Sequence, residues 1–183
     1  EAARLAGWPV AIGGWWFPRG GWVDPASLCR ANLARCAAVV RPHYGCQVAH
    51  IERRGEIWHA CNRSGQVLAA APLLILANAS AARRFAPASH LPLRAARGQV
   101  SHLPAIQGSA PEIVVCRLGY VTPAIDGVRC AGATFAVDDD ESALRAADHA
   151  ENLAKLDAIL PGYGRQIDPA SLGGRVGFRP LSP

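Results

Sequence analysis

The sequence predicts a mixed fold of the α/β to α+β class, for three reasons. Short apolar or alternating segments typical of strands recur along the 183 residues, and a few longer segments among them have a helical pattern. Eighteen glycines and fourteen prolines are spread along the chain, as turns between short elements require. Strands and helices in mixed order are typical of these two fold classes, and half of the residues are hydrophobic, enough for a core.

The first predicted helix covers 24–36. Asp24 is a good N-cap, and Pro25 suits the first helical position because it has no N–H to leave unpaired. Leu28 and Leu33 are expected among its inward-facing residues.

Strands follow the helix. Segments 46–53 and 56–62 flank Arg54-Gly55, which predicts a hairpin, and a further strand is expected around Val67. Segment 73–77 is short and fully apolar, as in a strand covered on both faces.

The second half of the chain is predicted to alternate between strands and one long helix. This helix is expected to begin in the acidic run 138–141, which would complement the helix dipole, and to end near Leu160 before Pro161-Gly162. Leu144 and Leu156 are among the residues of its apolar side. The remaining strands are predicted over 96–103, 113–116, 120–122, 129–135 and 174–179.

Composition excludes several classes of protein. Only 18% of the residues are charged, too few for a disordered tail, and the net charge of +5 is modest. The six cysteines and six histidines have no metal-binding spacing, so no metal is predicted and reduced thiols in a cytoplasmic protein are expected. No apolar run reaches the roughly 18 residues of a membrane span. The absence of methionine and the abrupt end at Pro183 suggest a piece of a longer polypeptide.

Five short strings occur in a characteristic order between residue 20 and residue 180. They are Gly20-Gly21-Trp22-Val23-Asp24-Pro25, Leu74-Ile75-Leu76-Ala77-Asn78, Arg97-Gly98-Gln99-Val100, Gly119-Tyr120-Val121-Thr122-Pro123 with Gly132-Ala133-Thr134-Phe135, and Gly177-Phe178-Arg179-Pro180. No string alone is specific, but in this order they resemble the FAD-dependent oxidases of D-amino acids, glycine and sarcosine.

This resemblance implies part of a Rossmann-like FAD-binding core and a mixed or antiparallel substrate domain. The FAD-binding portion would cover 1–100, with a hairpin insert over about 46–70. The substrate-binding sheet would cover 101–172, with a long helix over about 141–160, and a strand over 173–183 would return to the FAD-binding portion. The Gly-x-Gly-x-x-Gly fingerprint of the family is absent and would lie before Glu1, so the chain alone is expected to be inactive.

Within the family, the strings look most like the oxidase domain of bacterial bifunctional enzymes that finish a modified wobble uridine in tRNA. That likeness implies FAD as cofactor, tRNA as partner, and oxidation of a carboxymethylaminomethyl group to the aminomethyl form with release of glyoxylate. It also implies a methyltransferase domain elsewhere, which would use S-adenosylmethionine. Two alternatives stay open: a free glycine or D-amino-acid oxidase, and a non-catalytic RNA-binding module.

The resemblance also implies the site residues. Arg179 matches a family arginine that binds the substrate carboxylate, and Tyr120 matches a tyrosine whose hydroxyl reaches the same group. A surface arginine and a half-buried strand tyrosine are the alternative interpretations. The expected contacts to FAD are Gly21, Ala77, Asn78, Gly98 and Gln99. At Ala79 relatives usually carry glycine, which weakens the match beside the cofactor.

Aromatic and basic residues are the remaining candidates for binding. Tryptophans in loops can stack on a base or plug an interface, and arginine pairs can contact tRNA phosphate or simply face solvent. The tryptophans are Trp15, Trp16 and Trp22, and the arginine pairs are Arg53-Arg54 and Arg83-Arg84.

Overall fold

The computed structural model describes residues 1–105 and 111–182. The helices are α1 (Ala2–Ala6), α2 (Pro25–Arg35) and α3 (Ala146–Ile159). The strands are β1 (His50–Arg54), β2 (Ile57–Cys61), β3 (Val67–Ala71), β4 (Arg94–Pro104), β5 (Val115–Cys116), β6 (Tyr120–Val121), β7 (Val128–Gly132), β8 (Ala136–Val137) and β9 (Gly173–Leu181). The predicted mixture of strands and helices is therefore confirmed.

The chain divides into two compact units. The first consists of Glu1–Val23 and Ala96–Phe178, and the second of Asp24–Ala95 and Arg179–Pro183. The assignment of chain segments to an FAD-binding and a substrate-binding portion stays a prediction.

A six-stranded sheet forms the first unit. β4 pairs antiparallel with β7 and β8, and β7 continues through β6 to β5. β9 also pairs with β4. Along β4 the side chains of Arg97, Gln99, Ser101 and Leu103 are buried, while the residues between them are only half-buried. This alternation gives the sheet two distinct faces.

Helix α3 packs on one of these faces. It turns His149, Asn152, Leu156 and Ile159 inward, a spacing that places them along one side of a helix. The core that results is apolar and joins the sheet to the helix and the residues after it; its buried members are Leu103, Val121, Ala131, Leu156, Ile159, Leu160, Tyr163, Ile167 and Leu172. We call this side of the sheet the helix face.

The second unit contains α2 and the three-stranded antiparallel sheet β1-β2-β3. The hairpin of β1 and β2 is confirmed, and its turn is Gly55-Glu56, where Gly55 has a φ of 62°. Helix α2 is confirmed too, because the Asp24 side chain accepts from the Ser27 backbone N–H at 2.6 Å.

Three details of the sequence prediction are wrong. Segment 73–77 forms no strand, because no described segment pairs with it, and Leu73 and Ile75 are 73% and 78% exposed. Helix α2 buries no residue, so Leu28 and Leu33 are exposed and do not face inward. The long helix begins at Ala146 and not in the acidic run.

Side-chain hydrogen bonds explain the late start of α3. The Asp139 carboxylate accepts from the Glu141 backbone N–H, and the Glu141 carboxylate accepts from the Ala143 backbone N–H. Acidic residues that bond the backbone two positions ahead stabilise turns rather than helix. The sequence prediction also missed α1 and β8. Among the helices described, none is long and apolar enough to cross a membrane.

Candidate functional site

Tyr120 lies on the face of the sheet opposite α3. It is directly opposite Cys116 on β5 and Gly132 on β7, and directly paired residues share a face. His102 of β4 and Cys130 of β7 are paired in the same way on this side. We call the surface that carries Tyr120, Cys116, Cys130 and His102 the Tyr120 face.

The Tyr120 phenol is half-buried and stays protonated at neutral pH. Burial raises the pKa of Tyr120 above its ordinary value, and the neighbouring Cys130 adds to this rise. The positive charge of Arg175 acts in the opposite direction on the same pKa. The hydroxyl is therefore available to donate a hydrogen bond to an anion.

Arg175, a residue that sequence reasoning did not single out, thus acts electrostatically on Tyr120. Arg179, the predicted carboxylate-binding residue, is exposed and belongs to the second unit, whereas Tyr120 belongs to the first. The pairing of Arg179 with Tyr120 stays a prediction. The signal that could have found Arg175 is its position four residues before Arg179 on the same predicted strand.

Arg97 and Gln99 lie on the helix face, in a buried polar network. Arg97 donates to the Asp148 carboxylate and to the backbone oxygens of Glu141 and Ala143. The Gln99 side chain accepts from the backbone N–H of Arg145 at 2.9 Å and donates to its carbonyl at 2.9 Å. These bonds give both side chains a structural role, and the predicted contact of Gln99 with a cofactor stays untested.

The network continues along α3. Asn152 donates to the Gln99 carbonyl at 2.9 Å and to the Ser101 hydroxyl at 3.1 Å, and Ser101 lies 2.8 Å from Nδ1 of His149. Sequence reasoning missed it, because its members are close in space but about fifty residues apart in the chain.

Gly98 faces away from α3, and a Cβ there would lie 3.0 Å from the Thr134 carbonyl oxygen. The other predicted cofactor residues, Gly21, Ala77 and Asn78, are exposed in their respective units. Ala79, which directly follows Asn78, has a φ of 56°, the left-handed conformation that favours glycine. The contact of Gly21, Ala77, Asn78 and Gly98 with a cofactor stays a prediction.

The tryptophans and arginine pairs have differing surroundings. Trp15 and Trp16 line a cleft of about 700 Å³ in the first unit, together with α1 and residues 113–117.

Arg83 donates to the Leu93 carbonyl at 2.6 Å, and the guanidinium of Arg53 lies 5.9 Å from the centre of the Trp58 ring. Arg54 pairs with Glu52, so three of the four candidate arginines have partners within the second unit.

One group of side chains among the described residues places three potential metal ligands close together. Ligand atoms of His50, Glu52 and Cys61 lie within 4.8 Å of one another on one side of the β1–β2 hairpin. Arg54 already pairs with the Glu52 carboxylate and neutralises it. The prediction that the protein holds no metal stays a prediction.

Comparison with known proteins identifies relatives over the whole chain. The model of the family described as FAD dependent oxidoreductase matches residues 1–183. The tRNA 5-methylaminomethyl-2-thiouridine biosynthesis bifunctional protein MnmC of Aromatoleum aromaticum is 57% identical over 100% of this chain and 29% of its own length. The protein of the same name from Azoarcus sp. strain BH72 is 52% identical with the same coverage. The chain therefore spans about 29% of the length of these relatives.

Solved structures share the fold. Glycine oxidase from Geobacillus kaustophilus superposes with a TM-score of 0.60 over 74% of this chain and 36% of its own, at 17% identity. Glycine oxidase from Bacillus cereus gives a TM-score of 0.58 over 74% of this chain and 37% of its own, at 16% identity. At this identity the likeness shows the fold alone, and it confirms the expected D-amino-acid-oxidase type.

Proposed function

The chain belongs to the FAD dependent oxidoreductase family, and from this premise we propose that it is part of the oxidase portion of a bifunctional tRNA-modifying enzyme of the cytoplasm. The proposed reaction oxidises the carboxymethylaminomethyl group of the tRNA wobble uridine to the aminomethyl form and releases glyoxylate. The single observation that carries this proposal is the 57% identity with the MnmC protein of Aromatoleum aromaticum over all 183 residues.

One feature of the second unit supports the proposed contact with FAD. Ala77 and Asn78 are exposed, and the chain turns at Ala79 through a conformation that glycine prefers. Exposed backbone of this kind allows a flat ligand to approach closely. When bound, FAD would supply the acceptor for the hydride that leaves the substrate carbon next to nitrogen.

The chain's own residues would position the substrate. In this proposal the Arg179 guanidinium binds the carboxylate of the N-substituted glycine, since two parallel N–H donors match its two oxygens. The protonated hydroxyl of Tyr120 would donate a further hydrogen bond to the substrate. Together these contacts would fix the orientation of the carbon that is oxidised.

The test is an assay of the intact FAD-loaded protein on tRNA that carries the carboxymethylaminomethyl group. We expect the modified nucleoside to be converted to its aminomethyl form, with one glyoxylate released per turnover, and Arg179→Ala to weaken turnover while FAD stays bound. Oxidation of free glycine with no reaction on tRNA would instead support the amino-acid oxidase. Salt-dependent RNA binding without any oxidation would support the RNA-binding module.

A further inference from the structure

Four side chains with metal-binding atoms share one face of the β1–β2 hairpin. His50 of β1 lies directly opposite Cys61 of β2, and Glu52 lies directly opposite His59. Directly paired residues share a face of a sheet, and so do residues two positions apart on one strand. We call His50, Glu52, His59 and Cys61 the hairpin cluster. It supplies two imidazoles, a thiol and a carboxylate.

The distances within this cluster suit a metal ion. Ligand atoms of His50, Glu52 and Cys61 all lie within 4.8 Å of one another. In a tetrahedral zinc site with bonds of about 2.0–2.3 Å, neighbouring ligand atoms are roughly 3.5 Å apart. The Cys61 Sγ and the Glu52 Oε1 are already 3.9 Å apart. Small side-chain rotations would therefore bring the three ligands into bonding range of one ion.

His59 offers a ring nitrogen that lacks a partner. Its Nδ1 is buried and makes no hydrogen bond among the residues that the structure describes. A buried ring nitrogen without a partner costs free energy, and a neutral imidazole nitrogen is a common metal ligand. Since His59 lies directly opposite Glu52, it qualifies as the fourth ligand.

The Glu52 carboxylate is held only weakly by its present partners. Arg54 pairs with it, and the Cys61 thiol donates to it. The side chains of Arg54 and Glu52 are 60% and 38% exposed, and an exposed ion pair contributes little to stability. A divalent cation on Glu52 would displace the Arg54 guanidinium into solvent. It would also release the Cys61 thiol proton to solvent, because only the thiolate binds a metal.

We propose that the hairpin cluster binds one divalent cation, for which Zn²⁺ is the best match. Thiolate, imidazole and carboxylate ligands together are typical of zinc, and four protein ligands close the coordination shell as in structural sites. The exposed side chain of His50 leaves an entry path toward the buried Cys61. The ion would connect β1 to β2, and this proposal is independent of the proposed function.

The proposal departs from the sequence-based expectation of no metal, which rested on spacing along the chain. β1 contributes His50-Ile51-Glu52 and β2 contributes His59-Ala60-Cys61. Neither triplet alone matches a zinc motif. Only the antiparallel pairing of the two strands brings the four ligands together.

The first test is a calorimetric titration of the intact protein with Zn²⁺, after a chelator has removed bound metals. We expect His50→Ala and Glu52→Gln to abolish one site of the wild-type protein or to weaken it at least about 100-fold, because loss of outer contacts alone costs about 10- to 100-fold. The matched controls His90→Ala and Glu56→Gln change exposed residues of the same unit outside the cluster and should bind like the wild type.

The second test identifies the ligands with Co²⁺ in place of Zn²⁺. A cobalt–thiolate bond absorbs in the near ultraviolet, and this absorption should be absent in Cys61→Ala and present in Cys36→Ala, whose thiol is exposed in the same unit. His59→Ala should weaken Zn²⁺ binding about tenfold or more. Should Cys61→Ala fail to fold, His50→Ala decides the question, because it changes an exposed residue.

Arg54 provides a test of opposite sign. Arg54→Gln frees the Glu52 carboxylate and should tighten Zn²⁺ binding by about twofold to fivefold, as expected for an exposed competing pair. Arg53→Gln is the matched control, since it removes the same charge from the opposite face, where the Arg53 guanidinium lies 5.9 Å from the centre of the Trp58 ring.

Three results would overturn the proposal. The first is a wild-type protein that binds no more Zn²⁺ than His50→Ala and Glu52→Gln do. The second is the absence of any cobalt–thiolate absorption that depends on Cys61. The third is equal Zn²⁺ affinity of Arg54→Gln and Arg53→Gln, because Glu52 would then not be a ligand.

Discussion

The guanidinium of Arg97 on β4 donates to the carboxylate of Asp148 in the first turn of α3, across 51 residues of sequence. The Arg97 side chain is 1% exposed and that of Asp148 is 15% exposed. This contact attaches the helix to the strand that forms the centre of the sheet.

Replacing Asp148 by asparagine should strongly destabilise the first unit. The buried Arg97 charge would lose its counter-charge, and breaking a buried pair from one side costs about 3–5 kcal/mol. Urea unfolding of the intact protein, followed by hydrogen exchange of β4 amides, measures the loss. The more exposed pair of Asp139 and Arg145 provides the control, and Asp139→Asn should cost much less. Equal losses would show that burial of the pair does not matter.

Gly174→Ala should disrupt the pairing of β9 with β4. A Cβ at this position would overlap the carbonyl oxygen of Val100, and backbone can relieve such an overlap only by shifting. Overpacking of this kind costs about 1–3 kcal/mol. The neighbouring Gly173 has no atom near its virtual Cβ, so Gly173→Ala is the matched control. A thermal melt that ranks the two variants alike would contradict the prediction.

Ala79→Gly should stabilise the second unit. Ala79 has a φ of 56°, where a Cβ costs about 1–2 kcal/mol in steric strain. The greater freedom of glycine in the unfolded chain offsets part of this gain, so we expect a net stabilisation of about 0.5–1 kcal/mol. Chemical unfolding of the variant measures the change, and a decrease in stability would argue against strain at this residue.

Stability should decline at alkaline pH through Tyr120. Its folded-state pKa is raised, so folding binds the phenolic proton more tightly than the unfolded chain does. The contribution of this proton to the free energy of unfolding is complete below the pKa of tyrosine in the unfolded chain, about 10, and is lost as pH rises through the folded-state pKa of Tyr120. Tyr120→Phe should therefore flatten the fall in melting temperature above pH 10. An unchanged slope would mean that other groups cause the alkaline loss.

The isolated 183-residue chain should not retain FAD. The Gly-x-Gly-x-x-Gly motif that seats the FAD pyrophosphate on a helix N-terminus does not occur in its sequence. Gel filtration after incubation with FAD, read by flavin absorbance, tests this. Flavin that coelutes with the chain would contradict the prediction, and the intact protein is the positive control.

Local signals predicted the local parts of the fold. The β1–β2 hairpin follows from two alternating segments around Gly55, and α2 follows from the Asp24 cap. The start of α3 was misjudged because Asp139 and Glu141 resemble helix-initiating residues but bond the loop backbone. The role of Arg97 was not predictable, since its partner Asp148 is set by the tertiary fold.

The candidate site shows the same limit. A family resemblance can mark Tyr120 and Arg179, but the residues that share a face with Tyr120, such as Cys116 of β5 and Cys130 of β7, depend on how β5, β6 and β7 pair in the sheet. Sequence spacing carries no information about that order. Only the register of the strands reveals which side chains share a face.

The apolar segment 73–77 has a practical consequence for handling the protein. It pairs with no described strand and exposes Leu73 and Ile75. An apolar segment that pairs with no other strand can pair with a second copy of itself, and hence can promote aggregation during expression. A lysine in place of Ile75 would act as a gatekeeper against that association and should keep the separate chain in solution at higher concentration.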